Sequence, residues 1–451
     1  MAKALPAAAT PAEVAATYRT ITWRLIPFLI LCYLFAFVDR SNIGFAQKHF
    51  STELGITYAM FGLGGGIFYI GYSLFEVPSN LLMETAGARR TIARVMFLWS
   101  VFSALMAFIA SPLHFYALRF LLGAAEAGFF PGVLFYLSQW VPSSRRAGLT
   151  ALFMSSLALA GVIGNPVSGL LMQAADGFWG LKGWQWMFLV EGLPGCFLAV
   201  VAYFYLTDRP SEAKWLSEKQ KAIVLADLEA ESSAKSTSHA SFKEALKDKR
   251  FYLLVGMAVA LISGIGGLAL WVPAIIRLLG VKGDLNVGLL GAIPYVAGVA
   301  AQQLIARNSD KRQERMWHAA APAALAAVFW ACLPFVQHSV WLSLGCLSLI
   351  SMGTFGATGP FWATPTNFLK GRAAAGGIAL ITTCGSISAF FSPILVGWAA
   401  DRTGNLSFGQ FYYGTLMAIG VVLLLLLGKI QRSGAPALDA SAVDSAKIAE
   451  A

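Results

Sequence analysis

Long apolar stretches alternate with short polar loops along most of the chain. An α-helix needs roughly 20 residues to cross about 30 Å of hydrocarbon, and twelve stretches reach that length. They lie at 24–47, 57–84, 91–110, 113–140, 147–173 and 186–206, and at 251–276, 286–306, 317–336, 340–365, 372–400 and 410–430. The pattern predicts an all-α membrane protein with twelve transmembrane helices.

A polar segment separates the first six apolar stretches from the last six. Its portion SEKQKAIVLADLEAE has the spacing of a short amphipathic helix from Ser217, whereas SSAKSTSHAS is too polar and small to fold alone. We therefore expect an N-terminal tail at 1–23, a six-helix bundle at 24–206, a linker at 207–250, a second bundle at 251–430 and a C-terminal tail at 431–451. Two pseudo-symmetric six-helix bundles are typical of transporters that bind substrate between their halves.

Composition agrees with a membrane setting. Of the 451 residues, 57% are hydrophobic and 12% charged, and the mean hydropathy is +0.65. The net charge of +10 comes from basic residues in short loops, which argues against nucleic acid as a partner. The sequence contains no Walker A motif and no HExxH zinc motif, and the five cysteines show no paired spacing. We expect no cofactor and no metal.

The basic loop residues also predict an orientation. Loops on the side of the linker hold Arg89, Arg90, Arg94, Arg145, Arg146, Arg307, Lys311, Arg312, Arg315, Lys370 and Arg372, whereas the opposite loops hold only Lys48, Lys182, Arg277, Lys282 and Arg402. By the positive-inside rule, the linker and both termini face the cytoplasm. We expect a multi-pass protein of the plasma membrane, which in bacteria is the inner membrane.

Charged residues within the first and fourth stretches indicate a functional site. Asp39 and Arg40 are adjacent in the first stretch, and Arg119 and Glu126 lie seven residues apart in the fourth. A charge in the middle of a spanning helix costs about 2.5–3.5 kcal/mol and usually marks a substrate or proton pathway. Counted from the loops, Arg40 and Arg119 lie at similar depth, with Glu126 roughly 10 Å deeper than Arg119 on the same helix face. Two guanidiniums can then face one cavity.

These residue types suit an organic anion and a proton. Arg is always protonated and its planar fork matches a carboxylate bidentately, whereas Asp39 and Glu126 can change charge. Their protonation should depend on whether the site is open and occupied. The alternative is that Asp39–Arg40 and Arg119–Glu126 are buried ion pairs that only hold helices together.

Two short loops, NLLMETAGARR after the second stretch and ARNSDKRQERM after the eighth, occupy equivalent positions in the two halves. They resemble the loop signature of the major facilitator superfamily, Gly-x-x-x-Asp-Arg-x-Gly-Arg-Arg, with Glu84 and Asp310 at the acidic position and Arg89 and Arg315 at basic positions. The resemblance implies the major facilitator fold and a gating role for these four residues. The alternative is that they serve only topology.

A further set of stretches is similar to the anion:cation symporter family within that superfamily. They are FVDRSNIGFA, VPSN, LRFLLGAAEAGFFPGVLFYLSQWVP, KGWQWMFLVEGLPG, DRPSEAKWLS, FWATPTNFL and AAGGIALITTCGS. The family contains transporters of tartrate, hydroxyphenylacetate, phthalate and hexonates. The resemblance implies that Arg40 and Arg119 hold substrate and that Asp39 and Glu126 carry protons.

The same resemblance implies three neutral substrate contacts. Tyr72 matches a family position that lines the site, although core packing would also explain it. Trp362 can stack on a planar guest or lie in the interfacial aromatic belt. Thr382 stands where the family commonly has Asn, which favours a less polar or aromatic carboxylate over a sugar acid.

Together these observations predict a monomeric, proton-coupled symporter that imports a small organic anion by alternating access, and not an enzyme. Its substrate would be an aromatic or hydroxylated mono- or dicarboxylate such as phthalate, hydroxyphenylacetate or tartrate. Two alternatives are a drug/proton antiporter and a nutrient sensor that binds without transport. A lipophilic cation would be disfavoured by Arg40 and Arg119.

Overall fold

The structure, a computed structural model, describes residues 9–235, 248–365 and 371–433. Within these ranges the regular secondary structure is helical, with no strand. In chain order the α-helices are α1 (Pro11–Ser41), α2 (Ile43–Leu54), α3 (Tyr58–Ala86), α4 (Ala88–Leu105), α5 (Pro112–Glu126), α6 (Phe129–Ser138), α7 (Ser143–Met154), α8 (Ser156–Ala174), α9 (Gly183–Tyr205), α10 (Glu218–Lys235), α11 (Lys249–Leu278), α12 (Asp284–Arg312), α13 (Met316–Cys332), α14 (Val340–Ala363), α15 (Gly371–Thr403) and α16 (Ser407–Ser433).

Among the described residues, 12 helical segments are long and apolar enough to cross a membrane, which confirms the predicted fold class. The first begins at Pro11 rather than at residue 24, because a capping box fixes its start. The Thr10 hydroxyl accepts from the Glu13 backbone N–H, and the Glu13 carboxylate accepts from the Thr10 backbone N–H. Much of the predicted N-terminal tail is therefore helical. Residues 236–247 of the linker and 434–451 of the C-terminal tail lie outside the described ranges.

The polar linker contributes a helix that identifies one end of the bundle. This helix, α10, coincides with the amphipathic segment predicted from Ser217. It contacts the start of α1, where the Tyr18 hydroxyl donates to Asp227 at 2.8 Å and Lys219 donates to Glu13 at 2.5 Å. We call this end the linker side and the opposite end the far side, and we call the first six spans the N-half and the last six the C-half.

One span that was predicted to be continuous is broken. The fourth is interrupted at Ala127 and Gly128, between α5 and α6, whereas Asn42, between α1 and α2, keeps right-handed helical backbone angles. Gly128 has φ +87°, and a Cβ there would lie 2.5 Å from the Ser79 hydroxyl, so only glycine suits this turn. Pro131 follows in the first turn of α6, where a missing N–H is tolerated. A broken span can expose polar backbone groups beside a cavity, as in many transporters.

The two halves meet closely on the far side. Where α3 begins and α15 ends, a Cβ at Gly62 would collide with the Pro393 carbonyl, and one at Gly397 would collide with the Tyr58 carbonyl. The end of α8 and the start of α12 are equally close, because a Cβ at Gly169 would collide with the Asp284 carbonyl. Backbone can approach backbone at these crossings only because the residues are glycine.

Among the described residues, the hydrogen bonds between the halves lie toward the far side. Asp401 accepts from the backbone N–H groups of Tyr58 and Ala59, both at 2.8 Å. In the second crossing, the Asn165 amide donates to the Gly291 carbonyl at 2.9 Å, and the backbone N–H of Leu285 donates to the Gln173 side chain at 3.2 Å. These bonds hold the far side closed.

The Asp401 bonds give a direct test of that closure. We expect Asp401→Ala to shift the halves toward far-side opening by about 1 kcal/mol, roughly fivefold in population, because the start of α3 loses its acceptor. Distances between spin labels placed on the far-side ends of α3 and α15 would report the shift.

Asp176→Ala is the matched control for this experiment. Asp176 also accepts from a helix N-terminus, the Gly183 N–H at 2.9 Å, but that helix belongs to the same half. Its removal should leave the distances unchanged. Equal distance distributions for Asp401→Ala and the unsubstituted protein would show that the Asp401 bonds do not hold the far side closed.

Candidate functional site

An ion pair joins the first span to the broken fourth span. Arg40, near the end of α1, places its Nε and Nη2 atoms each 2.6 Å from Oε1 of Glu126, the last residue of α5. The Glu126 side chain is 1% exposed and that of Arg40 is 15% exposed. Glu126 lies directly before the Ala127–Gly128 turn, so the break in the fourth span fixes the position of its carboxylate.

This pairing differs from the ion pairs considered from the sequence, Asp39–Arg40 and Arg119–Glu126. The reason is that helical side chains lean toward the N-terminus of their helix. The α1 helix runs from the linker side to the far side, so the Arg40 guanidinium leans toward the deeper Glu126. The α5 helix runs the opposite way, so the Arg119 side chain leans away from Glu126 and its Nε donates to the Gly64 carbonyl of α3 at 3.2 Å.

The two guanidiniums share one aromatic ring. The Cζ atom of Arg40 lies 5.2 Å from the centroid of the Phe68 ring, and that of Arg119 lies 4.8 Å from the same centroid. Arg40 also lies 5.1 Å from the ring of Tyr72. Cation–π attraction is strong where the cation is desolvated. The ring of Phe68 and the carboxylate of Glu126 together allow two positive charges to remain close in an apolar environment.

Arg119 retains a free donor. The residue is 2% exposed, and its Nη1 is buried without a hydrogen-bond partner among the described residues. Buried polar groups normally have partners, and a missing partner requires an explanation. A ligand that accepts a hydrogen bond at this position would supply one.

Arg40 and Arg119 both line a cavity between the halves. Its N-half wall also includes Phe68 and Tyr69, and its C-half wall carries Ser263, Ser392 and Tyr413 beside apolar residues and backbone. The cavity measures about 40 Å³, more than the roughly 10–15 Å³ that a cavity needs to hold a water molecule.

Asp39 lies apart from this cavity. It is 1% exposed, and Oδ1 accepts from the Ser103 hydroxyl of α4 at 2.6 Å, while Oδ2 has no hydrogen-bond partner in the described part of the chain. The side chain therefore points into the N-half, although its neighbour Arg40 faces the cavity.

Sequence reasoning missed a second buried carboxylate near Asp39. Glu191 of α9 is 3% exposed and accepts from the Ser168 hydroxyl of α8 at 2.6 Å and from the Asn42 amide at 3.2 Å. It thereby joins three parts of the N-half where α1 meets α2. The sequence feature that could have identified Glu191 is the one that identified Asp39, a carboxylate inside an apolar span, here within KGWQWMFLVEGLPG.

The three neutral residues predicted to contact substrate do not line the cavity in this conformation. Tyr72 is 7% exposed and packs beside Arg40. Trp362 packs against the apolar core of the C-half. Thr382 is half-buried on α15, two turns before the cavity residue Ala389, or roughly 10 Å toward the linker side. Their contact with substrate stays a prediction.

The predicted gating loops differ between the halves. Arg315 forms an ion pair with Asp310 and donates to the Ser309 hydroxyl at 3.1 Å. The backbone N–H of Arg89 donates instead to Asp208 at 2.8 Å. The side chain of Glu84 lies outside the described part of the structure. In the N-half, the acid that contacts Arg89 thus comes from the DRPSEAKWLS stretch.

The described part of the chain has twelve helical segments long and apolar enough to span a membrane, and charged side chains face a cavity between its two halves; this is the architecture of a secondary transporter. Residues 29–393 match the Major Facilitator Superfamily, and the chain belongs to that family, as its loops and spans had indicated. It is a multi-pass membrane transporter.

The chain is similar to several proteins of this family. It is 45% identical to a putative tartrate transporter of Agrobacterium vitis, over 91% of this chain and 94% of that protein. It is 40% identical to a quinolone resistance transporter of Acinetobacter baumannii, over 92% of this chain and 95% of that protein. The fold matches a bacterial homologue of the human lysosomal transporter Spinster with a TM-score of 0.72 and 14% identity, covering 94% of this chain and 98% of that one.

The ion pair can be tested by double-mutant cycles on thermal unfolding in detergent. Breaking a buried pair by removing one partner costs about 3–5 kcal/mol. We therefore expect Arg40→Met and Glu126→Gln to be strongly non-additive, with a coupling energy of about 1–3 kcal/mol.

The matched cycle combines Arg40→Met with Asp39→Asn. Its coupling energy should be much smaller, because the Asp39 carboxylate is hydrogen-bonded to Ser103 and not to Arg40. Equal coupling in the two cycles would contradict the pairing of Arg40 with Glu126.

Proposed function

We propose that the protein is a proton-coupled symporter that imports a small organic anion by alternating access. The observation that carries the proposal is the pair of guanidiniums at one cavity between the halves, of which Arg119 keeps a buried free donor. Guanidiniums bind carboxylates through paired hydrogen bonds. An aromatic or hydroxylated mono- or dicarboxylate has the required chemistry.

The ion pair suggests how proton and anion binding are coupled. The Glu126 carboxylate contacts Arg40 through two nitrogen atoms, so it competes directly with a substrate carboxylate for that guanidinium. A proton on Glu126 removes its charge and frees Arg40 for the anion. Proton and anion therefore strengthen each other's binding, and by linkage this effect is reciprocal.

The relatives support an anionic substrate. A protein named as a putative tartrate transporter is similar to this chain over 91% of its length. The basic residues of the loops support a plasma-membrane protein, in bacteria an inner-membrane protein, with both termini in the cytoplasm. On this orientation the far side faces outward. We further propose that the monomer is the working unit, since the cavity lies within one chain.

The second candidate is export of a drug, favoured by the similarity to a quinolone resistance transporter. Quinolones carry a carboxylate, so the same arginines suit them. The direction of coupled flux separates the two functions: an imposed inward proton gradient drives accumulation by a symporter and expulsion by an antiporter. A sensor would bind without flux in either direction.

The arginine pair should be sensitive to substitution by lysine. We expect Arg40→Lys and Arg119→Lys each to weaken anion binding at least 10-fold, because an ammonium retains charge but lacks the planar fork. Binding is measured by thermal stabilisation with a panel of tartrate, phthalate and hydroxyphenylacetate, where a ligand at 100 times its Kd contributes about 2.7 kcal/mol.

Arg24→Lys is the control, because Arg24 also stacks on an aromatic ring, 4.1 Å from the centroid of Tyr205, but does not line the cavity. It should bind like the unsubstituted protein. Normal binding by either cavity variant would make that arginine structural.

Glu126→Gln should separate exchange from accumulation. Glutamine imitates the protonated acid, so the variant should bind anion and exchange it across a vesicle membrane, with affinity nearly independent of pH. In the unsubstituted protein, affinity should fall as rising pH ionises Glu126 and restores its competition for Arg40. The variant should fail to accumulate anion when a proton gradient is imposed.

Counterflow and proton-driven uptake are measured on the same reconstituted samples. Glu231→Gln provides the control, since Glu231 contacts an arginine, Arg146 at 3.7 Å, on the linker side away from the cavity. Proton-driven accumulation by Glu126→Gln at the level of the control would remove Glu126 from the coupling mechanism.

A further inference from the structure

The C-half wall of the cavity contains a group of hydroxyls that bond to one another. We call Ser263, Ser388, Ser392 and Tyr412 the hydroxyl cluster. The Ser263 and Ser388 hydroxyls lie 2.6 Å apart, Ser392 donates to Ser263 at 3.2 Å, and the Ser392 hydroxyl lies 2.9 Å from that of Tyr412. The cluster joins three helices, α11, α15 and α16.

This arrangement is unusual for hydroxyls in spanning helices. Such groups commonly bond to a carbonyl of their own helix one turn earlier. Thr358 and Thr364 of the C-half do so, at 2.9 and 3.0 Å. In the cluster, three of the bonds instead run between helices, while the Ser388 and Ser392 hydroxyls lie 3.5 Å apart within α15. Two members, Ser263 and Ser392, line the cavity.

The cluster has hydrogen-bonding capacity to spare. Each hydroxyl has one donor and two acceptor lone pairs, and its proton rotates to suit the available partners. Four hydroxyls that bond mainly to one another cannot use all of their acceptor positions. The cluster can therefore accept a hydrogen bond from a guest in the cavity. By rotating a hydroxyl proton it can also donate one to the guest, without leaving a polar group unpaired.

The two cavity walls have different chemistry. The N-half wall presents the positive charges of Arg40 and Arg119, whereas the polar side chains that line the C-half wall are hydroxyls, Ser263, Ser392 and Tyr413. A guest that satisfies both walls needs a carboxylate on one side and neutral hydrogen-bonding groups on the other. A carboxylic acid with hydroxyl groups has this pattern.

We propose that the hydroxyl cluster is the subsite that recognises the hydroxyl groups of a hydroxylated carboxylate and thereby selects it over the analogue that lacks them. The proposal rests on the proposed function, uptake of a small organic anion. From the sequence, Thr382, which lies outside the cavity, favours a less polar or aromatic carboxylate, whereas the present proposal favours a hydroxylated one. It assigns this selectivity to serines that no sequence motif marked.

The test compares tartrate with succinate, which has the same charge and chain length but no hydroxyl groups. Uptake into proteoliposomes is measured for the unsubstituted protein and for Ser263→Ala and Ser392→Ala. A site built to bond a hydroxyl discriminates against the analogue without it. We expect the unsubstituted protein to prefer tartrate, and each variant to lose about 3- to 10-fold in tartrate affinity, the effect of one or more neutral hydrogen bonds. Succinate uptake should be unchanged.

Two controls separate recognition from folding. Ser343→Ala removes a buried serine of the same half that donates to the Val336 carbonyl at 3.1 Å away from the cavity, and it should alter neither substrate. Ser392→Thr keeps a hydroxyl and should retain the tartrate preference. Thermal unfolding midpoints of all variants show whether each is folded.

The outcomes distinguish this inference from the proposed function. If the unsubstituted protein transports neither acid nor any other carboxylate, the proposed function fails. If it transports both acids without preference, or if the alanine variants lose tartrate and succinate equally, the subsite is overturned while the proposed function stands. A selective loss of tartrate in both alanine variants supports the subsite.

Discussion

The contact between Arg40 and Glu126 is the constraint on which the site depends. A charge in hydrocarbon must be paired, and this pair links the first span to the fourth at the point where the fourth is broken. The turn at Gly128 ends α5 at Glu126, and the Phe68 ring stabilises both guanidiniums. Because Arg40 lines the cavity, the pair that makes these charges tolerable also borders the space in which, on the proposed function, an anion binds.

The buried charges and the contacts that close the far side lie in different parts of the molecule. The buried charges around the cavity belong to the N-half, whereas the described hydrogen bonds between the halves lie on the far side, at Asp401 and Asn165. A guest bound to Arg119 alone would contact only one half. On the proposed function, the serines of α11 and α15 would give the C-half a contact with the same guest, so that one substrate would bridge both halves.

The fold was largely predictable from sequence, and the site only in part. Twelve spans follow from hydropathy over about 20 residues, which tolerates errors of several positions. Depth counted from the loops placed Arg40 and Arg119 in one cavity, but it follows the backbone and ignores the lean of side chains, so it could not identify Glu126 as the partner of Arg40. Ser263 and Ser392 carry no charge and no spacing signal. Only the packing of three helices brings the cluster together, and that packing is not encoded in any local pattern.

The glycine crossings of the far side have a mechanical consequence. At Gly62 and Gly66, α3 touches α15 backbone to backbone, so the helices cannot slide there without a collision and are left with rotation about the contact. From Gly66 to the end of α3 at Ala86 the helix extends roughly 30 Å at 1.5 Å per residue, with Pro78 in its interior. Turning this segment as one body by about 10° would move its end by about 5 Å, close to one helical pitch. On the proposed function, a small rotation about this narrow contact on the far side would separate the helices on the linker side.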